Sequence, residues 1–498
     1  MARSHQIHIR LQRRWTALPG IGGHCMLEQR SSNSSVMGEL MILLAMAGPL
    51  MAAQLSKVVM VFTDTYMMGR LGAEALAGGG VGASIYSFLT FSFSGVISGI
   101  GTLIAIAHGS RDTARVRRSC QSGMLIALAL SALGISALWL AAPLLRSLGQ
   151  PPQSIDAFIA FTRAVAFALP GYLVFMALRN FVSALGDTKP VMVISMAAAV
   201  LNLALNLVII NQWFGIPYLG LSGIGAVTAS VSLLMALSLA GYIATAPRYR
   251  SYRIFEGILD IDWDILRQAI KFGIPVGLSF AIELSLFTCA ALMMGHFGVV
   301  VQAAHHVAMQ AVLIAFVAPI SLSSATSYRV GHLVGAGRIA DVKQVVLIGL
   351  SCGAVASLFF APLFLLFPTE IASLFVRSGT ADSVLLKSTV ASLLAVAVWF
   401  LLFDGAQNIL LGALRGLKAL KTSLTLVAVF YWLIAIPAAY ILGIHLALGP
   451  RYIWAGLAIG LAAATFAMYL SLQMIVNRLT HPDRPGTVSR VGIEDVPG

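Results

Sequence analysis

An all-α integral membrane fold, with twelve transmembrane helices in two six-helix lobes, is what this sequence predicts, and three observations carry it. The chain repeats itself at an offset of 226 residues: Pro49 falls on Pro275, Met67-Met68-Gly69 on Met293-Met294-Gly295, Leu71-Gly72 on Phe297-Gly298 and Gly109 on Gly335. The composition is 58% hydrophobic and only 10% charged, with a mean hydropathy of +0.89. Water-exposed surface needs far more charge than that. About a dozen apolar stretches reach the roughly 20 residues a helix needs to cross the hydrocarbon core, and their unbroken runs lack the period-two alternation of a β-barrel. Two homologous bundles joined head to tail are the usual build of secondary transporters, in which like halves rock about a site between them.

Taken in order, residues 1–38 carry Arg3, Arg10, Arg13, Arg14 and Arg30 and no apolar stretch before Met37. A disordered basic tail is expected there rather than a cleaved secretory signal, with Met26 or Met37 as alternative starts. The N-lobe, 39–246, holds spans at 39–68, 79–108, 119–145, 156–182, 190–212 and 219–246, placed from apolar windows and the Gly, Pro and charge punctuation between them. Residues 247–264, containing YRSYRIFEGILDIDWD, are the most polar internal stretch and fall where the duplication needs a connector, read as a cytoplasmic linker that is partly an interfacial helix. The C-lobe, 265–476, repeats the pattern at 265–295, 303–332, 343–367, 383–412, 420–443 and 452–476. Residues 477–498, rich in Pro, Arg and Gly, read as a second loose tail.

Orientation follows from the basic residues. One side of the predicted membrane holds Arg111, Arg115, Arg117, Arg118, Lys189, Arg248, Arg250, Arg253, Arg329, Arg338, Lys343, Arg415, Lys418 and Lys421; the other holds little beyond Arg70, Arg146, Arg377 and Arg451. Positive charge stays inside, which places both termini in the cytoplasm and requires an even number of crossings. Lobes of six spans each enter with the same orientation, so the pseudo-two-fold axis runs along the membrane normal. The formal charge of +13 is spread over these short loops, which argues against a nucleic-acid partner. Cys25, Cys120, Cys289 and Cys352 show no metal or redox spacing, and three of them lie in or beside apolar helices as small hydrophobes. The many glycines inside the spans serve close helix approach as readily as motion.

Ionisable groups at membrane depth are costly unless paired or hydrated, so each is a functional candidate. Asp64 lies near the end of the first span, Glu283 in the middle of the seventh and Asp404 in the middle of the tenth. A low-dielectric site makes a carboxylate easier to protonate, while an incoming cation stabilises its charged form. Such groups can exchange H⁺ or Na⁺ for a cationic substrate; satisfaction by neighbouring helices is the plainer alternative. Asn202 and Asn206, four apart, share one face of the fifth span and either glue helices or, with Asp64 and Thr228, build an oxygen-rich cluster for a hard cation. Lys57 precedes Asp64 by two helical turns and maps onto Glu283 through the repeat. It is read as a substrate-cavity residue or switch that neutralises a carboxylate in the empty carrier; snorkelling to an interface competes. Pro49 and Pro275, equivalent in the first helix of each half, are hinge candidates. His305-His306 lacks a third ligand at suitable spacing, so a rim or packing role is favoured over metal. No metalloprotease, hydrolase or Walker-type motif occurs in context, so no enzyme is expected, and energy must come from an ion gradient rather than from a bound cofactor.

Together FTDTYMMGRLGAEALAG, GHLVGAGR, ALRNFVSALGDTKP with its partner QNILLGALRGLKALKTS, and the position of the linker resemble the MATE family, the multidrug and toxic compound extrusion transporters, over about residues 38–478. Within it the chain is most similar to the NorM-like branch, because Glu283 and Asp404 stand at the acidic positions of the second lobe and Asp64, Asn202, Asn206 and Thr228 at the polar site of the first. The resemblance implies a V-shaped carrier of the inner (plasma) membrane, monomeric, that exports amphipathic, often cationic compounds in exchange for Na⁺ or H⁺. Lys57 departs from the pattern, since a fixed positive charge would repel Na⁺ from Asp64. A lipid-linked sugar flippase of the wider superfamily is the alternative; anionic pyrophosphate cargo would call for several cavity arginines or lysines. A membrane-embedded enzyme is a third.

Overall fold

The structure, a computed structural model, describes residues 35–147, 152–215, 219–258, 260–374 and 381–480. Most of the basic tail, with Cys25 and Met26, and the chain beyond 480 lie outside the described residues. Among the described residues there is no strand. The membrane segments are α1 (Val36–Arg70), α2 (Ala73–Gly109), α3 (Thr113–Ser147), α4 (the pair Pro152–Val165 and Ala168–Ala184), α5 (Lys189–Ile210) and α6 (Gly220–Thr245) in the first lobe. The second lobe comprises α7 (Trp263–Gly295), α8 (Val299–Gly335), α9 (Val342–Leu366), α10 (Ala381–Gly416), α11 (Leu420–His445) and α12 (Pro450–Thr480). Eleven of these helices are long and apolar enough to span a membrane, and the bent pair of α4 supplies the twelfth.

Local chemistry starts and breaks these helices where the sequence dictates. Ser35 caps α1 by accepting from the Gly38 amide at 3.2 Å, and Asp262 caps α7 by accepting from the Ile265 amide at 3.1 Å. Gly72 and Gly298, matched by the repeat, precede α2 and α8 with φ of +116° and +97°, a region that disfavours any side chain. The two halves of α4 meet at 44°. Pro170 lies one turn past the break and brings no N–H to the Ala166 carbonyl, which instead accepts from the Leu169 amide at 3.1 Å. In α11, Pro437 has a similar effect, and the ladder widens to π-type turns at Phe430–Ala435 and Ile441–His445. At Pro49 and Pro275 the helices run on without a break.

The lobes meet along glycine-rich seams. A Cβ at Gly99 of α2 would come within 3.2 Å of the Gly273 Cα in α7, and one at Gly277 would strike Val96. Between α2 and α8 the contact is symmetric: a Cβ at Gly109 would hit the His332 carbonyl, and one at Gly335 the Ile106 carbonyl. The 226-residue offset relates 109 to 335 and 106 to 332, so the pseudo-two-fold axis passes here. Close by, Thr102 and Ser327 share a hydrogen bond of 2.9 Å, Tyr328 donates to Asn180 at 3.0 Å, and the His108 and His332 rings lie 5.5 Å apart.

A buried ion pair ties the same end shut. Arg329 of α8 donates through Nε and Nη2 to both oxygens of Glu39 in α1, at 2.8 and 2.6 Å, with the two residues 3% and 0% exposed. Arg329, expected among the loop cations, lies inside the protein because a carboxylate of the other lobe satisfies it in bidentate geometry. Arg415 is likewise buried, its guanidinium 5.0 Å from the Phe280 ring centroid rather than in a loop.

The connector docks on this face. It opens with a 3₁₀ helix, Pro247–Tyr252, and Gln121 of α3 donates to the carbonyls of Ile254 and Glu256. Asp187, after α4, accepts from Tyr249 at 2.7 Å and pairs with Arg248 at 3.5 Å. Burial and that carboxylate push the Tyr249 phenol above its ordinary range.

Candidate functional site

In the first lobe the structure brings together all four residues singled out from sequence. Asn202 and Asn206 of α5 donate to Asp64 Oδ1 at 3.2 and 3.0 Å, and Thr228 of α6 donates to Oδ2 at 2.7 Å. Their positions one turn apart on α5 aim both amides at the same oxygen. Both asparagines are fully buried, and their amide oxygens, Asn202 Oδ1 and Asn206 Oδ1, have no hydrogen-bond partner. The amide N–H groups thus face the carboxylate; turned over, the same two amides present it with carbonyl oxygens, which together with Asp64 make a donor set for a hard cation.

In the second lobe Glu283 of α7 and Asp404 of α10 are 4% and 2% exposed and share one donor. Asn408, one turn after Asp404, donates to Glu283 Oε1 and Asp404 Oδ1, each at 3.4 Å, and to the Asp404 carbonyl at 3.2 Å. Beside it, Tyr431 of α11 donates to Gln407 Oε1, while Gln407 Nε2 is buried without a partner. Sequence reading missed Asn408, Gln407 and Tyr431. A signal for Asn408 was present, because Asp404 and Asn408 stand four apart just as Asn202 and Asn206 do.

Lys57 reaches neither carboxylate. Its Nζ donates to the Tyr172 hydroxyl at 2.6 Å, across to α4. Neutralisation of an acid by Lys57, expected for the empty carrier, is therefore not the arrangement in this conformation: the ammonium is satisfied by the phenol oxygen, which accepts its bond. Lys57 instead lines a cleft between the lobes, with Tyr172 and Arg179 from α4, Phe91 from α2, and Phe280 and Tyr328 from α7 and α8. His305 is 2% exposed and accepts from Trp454 Nε1 at 3.1 Å, a packing position.

Two duplicated six-helix bundles, each with a buried acidic cluster and a cleft between them, define an integral membrane carrier. The MatE family model matches residues 49–208 and again 275–441, starting points 226 residues apart, and the chain belongs to that family. It is 42% identical over 448 residues to the probable multidrug resistance protein NorM of Pseudomonas syringae pv. tomato, covering 90% of this chain and 97% of the relative. With the protein of the same name from Pseudomonas aeruginosa it shares 43% over 441 residues, 89% of this chain and 90% of the relative. Among solved structures it resembles the outward-facing conformation of a multidrug resistance MATE family transporter of the MOP superfamily, with a TM-score of 0.80, 19% identity, and 90% and 100% of the two chains covered. A crystal structure of MATE in complex with MaL6 matches with a TM-score of 0.81 at 18% identity, over 93% and 100%. At these identities the structural likeness concerns the fold.

Proposed function

We propose that this chain is a multidrug efflux antiporter, exporting amphipathic, often cationic organic compounds in exchange for Na⁺ or H⁺ by alternating access. It sits in the inner (plasma) membrane as a monomer with both termini in the cytoplasm. The observation that carries the proposal is the pair of buried carboxylates, Glu283 and Asp404, held on one amide by Asn408. Two acids this deep repel each other when both are charged, so a bound proton or metal cation, or a cationic cargo, is what steadies them. The multidrug names of relatives that share about two-fifths of their residues over nearly their whole length support the cargo class.

The first-lobe cluster serves an inorganic cation once the two amides turn over: Asp64 supplies the charge, and Asn202, Asn206 and Thr228 the remaining oxygens. With Lys57 bonded to Tyr172, its charge is directed to the phenol. Pro49 and Pro275, without amide hydrogens inside α1 and α7, serve as the hinges that let each lobe change shape.

Everted vesicles loaded by an imposed ΔpH or, separately, ΔpNa test this directly. Transport of a fluorescent cation is expected under one of the two gradients and is lost in Glu283→Gln and Asp404→Asn. Full gradient-driven transport in the double variant would overturn the assignment.

A further inference from the structure

The cleft between the lobes presents cations, whereas the acids lie inside the lobes. Arg179 is 8% exposed and lines this cleft. Its Nη1 meets only neutral partners, Gln54 Oε1 at 3.3 Å and Met176 Sδ at 3.5 Å, and its Nε has no partner at all. Across the same space stands Lys57, donating to a phenol. Among the described residues neither Lys57 nor Arg179 is paired with a carboxylate. A buried guanidinium with an idle N–H is costly to keep unless something arrives to accept from it.

Pseudo-symmetry sharpens the contrast. The 226-residue repeat relates Lys57 to Glu283. One lobe therefore carries Lys where its partner carries Glu. The aromatic edge of the cleft is formed by Phe91 and Phe280, whose rings pack edge-on at 4.9 Å.

We infer that Arg179 and Lys57 form an oxyanion subsite that takes the acidic group, in the first instance a carboxylate, of an amphipathic aromatic cargo. A guanidinium and an ammonium facing one space pair with a carboxylate through charge-assisted hydrogen bonds, stronger than those between neutral groups. The Tyr172 and Tyr328 hydroxyls border the same space, and the phenylalanines receive the ring system. Zwitterionic compounds thus enter with the acid toward the first lobe. The inference rests on the carrier reading above and narrows its substrate class.

A matched dye pair tests it: tetramethylrhodamine, which bears a free carboxylate, and its methyl ester, which does not. The readout is the ratio of their affinities for the purified full chain in detergent, by fluorescence anisotropy. The acid is expected to bind about tenfold more tightly than the ester, the worth of one charge-assisted contact. Arg179→Gln brings the ratio to near unity, and Lys57→Gln lowers it by roughly threefold. An unchanged ratio in Arg179→Gln, or no preference for the acid in the original protein, overturns the subsite. So does displacement of the acid by phosphatidylglycerol at low mole fraction, which would assign the cations to a lipid headgroup. Where Arg179→Gln binds neither dye, Lys57→Gln alone decides by the same ratio. Export of the ester under an imposed gradient is scored separately, so a carrier that binds as stated but does not pump removes the efflux reading and leaves the subsite standing.

Discussion

A single amide, Asn408, holds two carboxylates in place, and its loss has a calculable effect. Asn408→Leu keeps the number of heavy atoms and the branch at Cγ but removes the donor shared by Glu283 and Asp404. A hydrogen bond to a charged group contributes about 1.5–3 kcal/mol, so the apparent affinity for the coupling ion is expected to change by roughly tenfold or more, read from the ion dependence of dye transport. An unchanged ion dependence would show that the two acids act without their common donor. Thr228→Val, which strips one contact from Asp64 at 2.7 Å, is expected to cost severalfold in the same assay. The first-lobe cluster was legible residue by residue, because Asp64, Asn202, Asn206 and Thr228 are polar side chains in apolar runs and two of them share a helix face. Arg179 was not. It sits in a motif that reads as a family signature, and nothing in its local spacing says that it turns toward a cleft rather than toward a partner.

Helices in this fold are shaped by where a Cβ can go. Gly335 faces the Ile106 carbonyl of the opposite lobe, whereas a Cβ added at Gly48, inside α1, would meet nothing within 4 Å. Gly335→Ala is therefore expected to lower stability by about 1–3 kcal/mol through overpacking, and Gly48→Ala to raise it by up to about 1 kcal/mol through helix propensity. Thermal unfolding in detergent checks both, and equal shifts would refute the seam. The number and order of spans followed from hydropathy and punctuation. The bends did not: Pro49 and Pro275 drew attention by their symmetry, while the chain changes character near Pro170 and Pro437, where the lost amide coincides with a broken or widened ladder.

At the scale of the molecule, the lobes are held at one end by Glu39 and Arg329, 290 residues apart in sequence. Removing one partner strands a buried charge, so Glu39→Gln is expected to destabilise the closed end by about 3–5 kcal/mol. Replacing both, as Glu39→Leu with Arg329→Met, is expected to recover much of that loss. A double-mutant cycle on thermal stability checks the coupling, and additive losses would mean the pair contributes nothing of its own. Duplication in the sequence foretells two lobes and their axis, but no local pattern announces a pair so distant, and the closed end exists only once the chain has folded. That end has a further property. Residue 109 touches 332 while 335 touches 106, so the seam is isologous, the handshake that two identical six-helix proteins would make about a dyad. Severed within the connector and co-produced as two separate polypeptides, the halves should find each other in the bilayer through this self-matching surface and co-purify as a one-to-one complex.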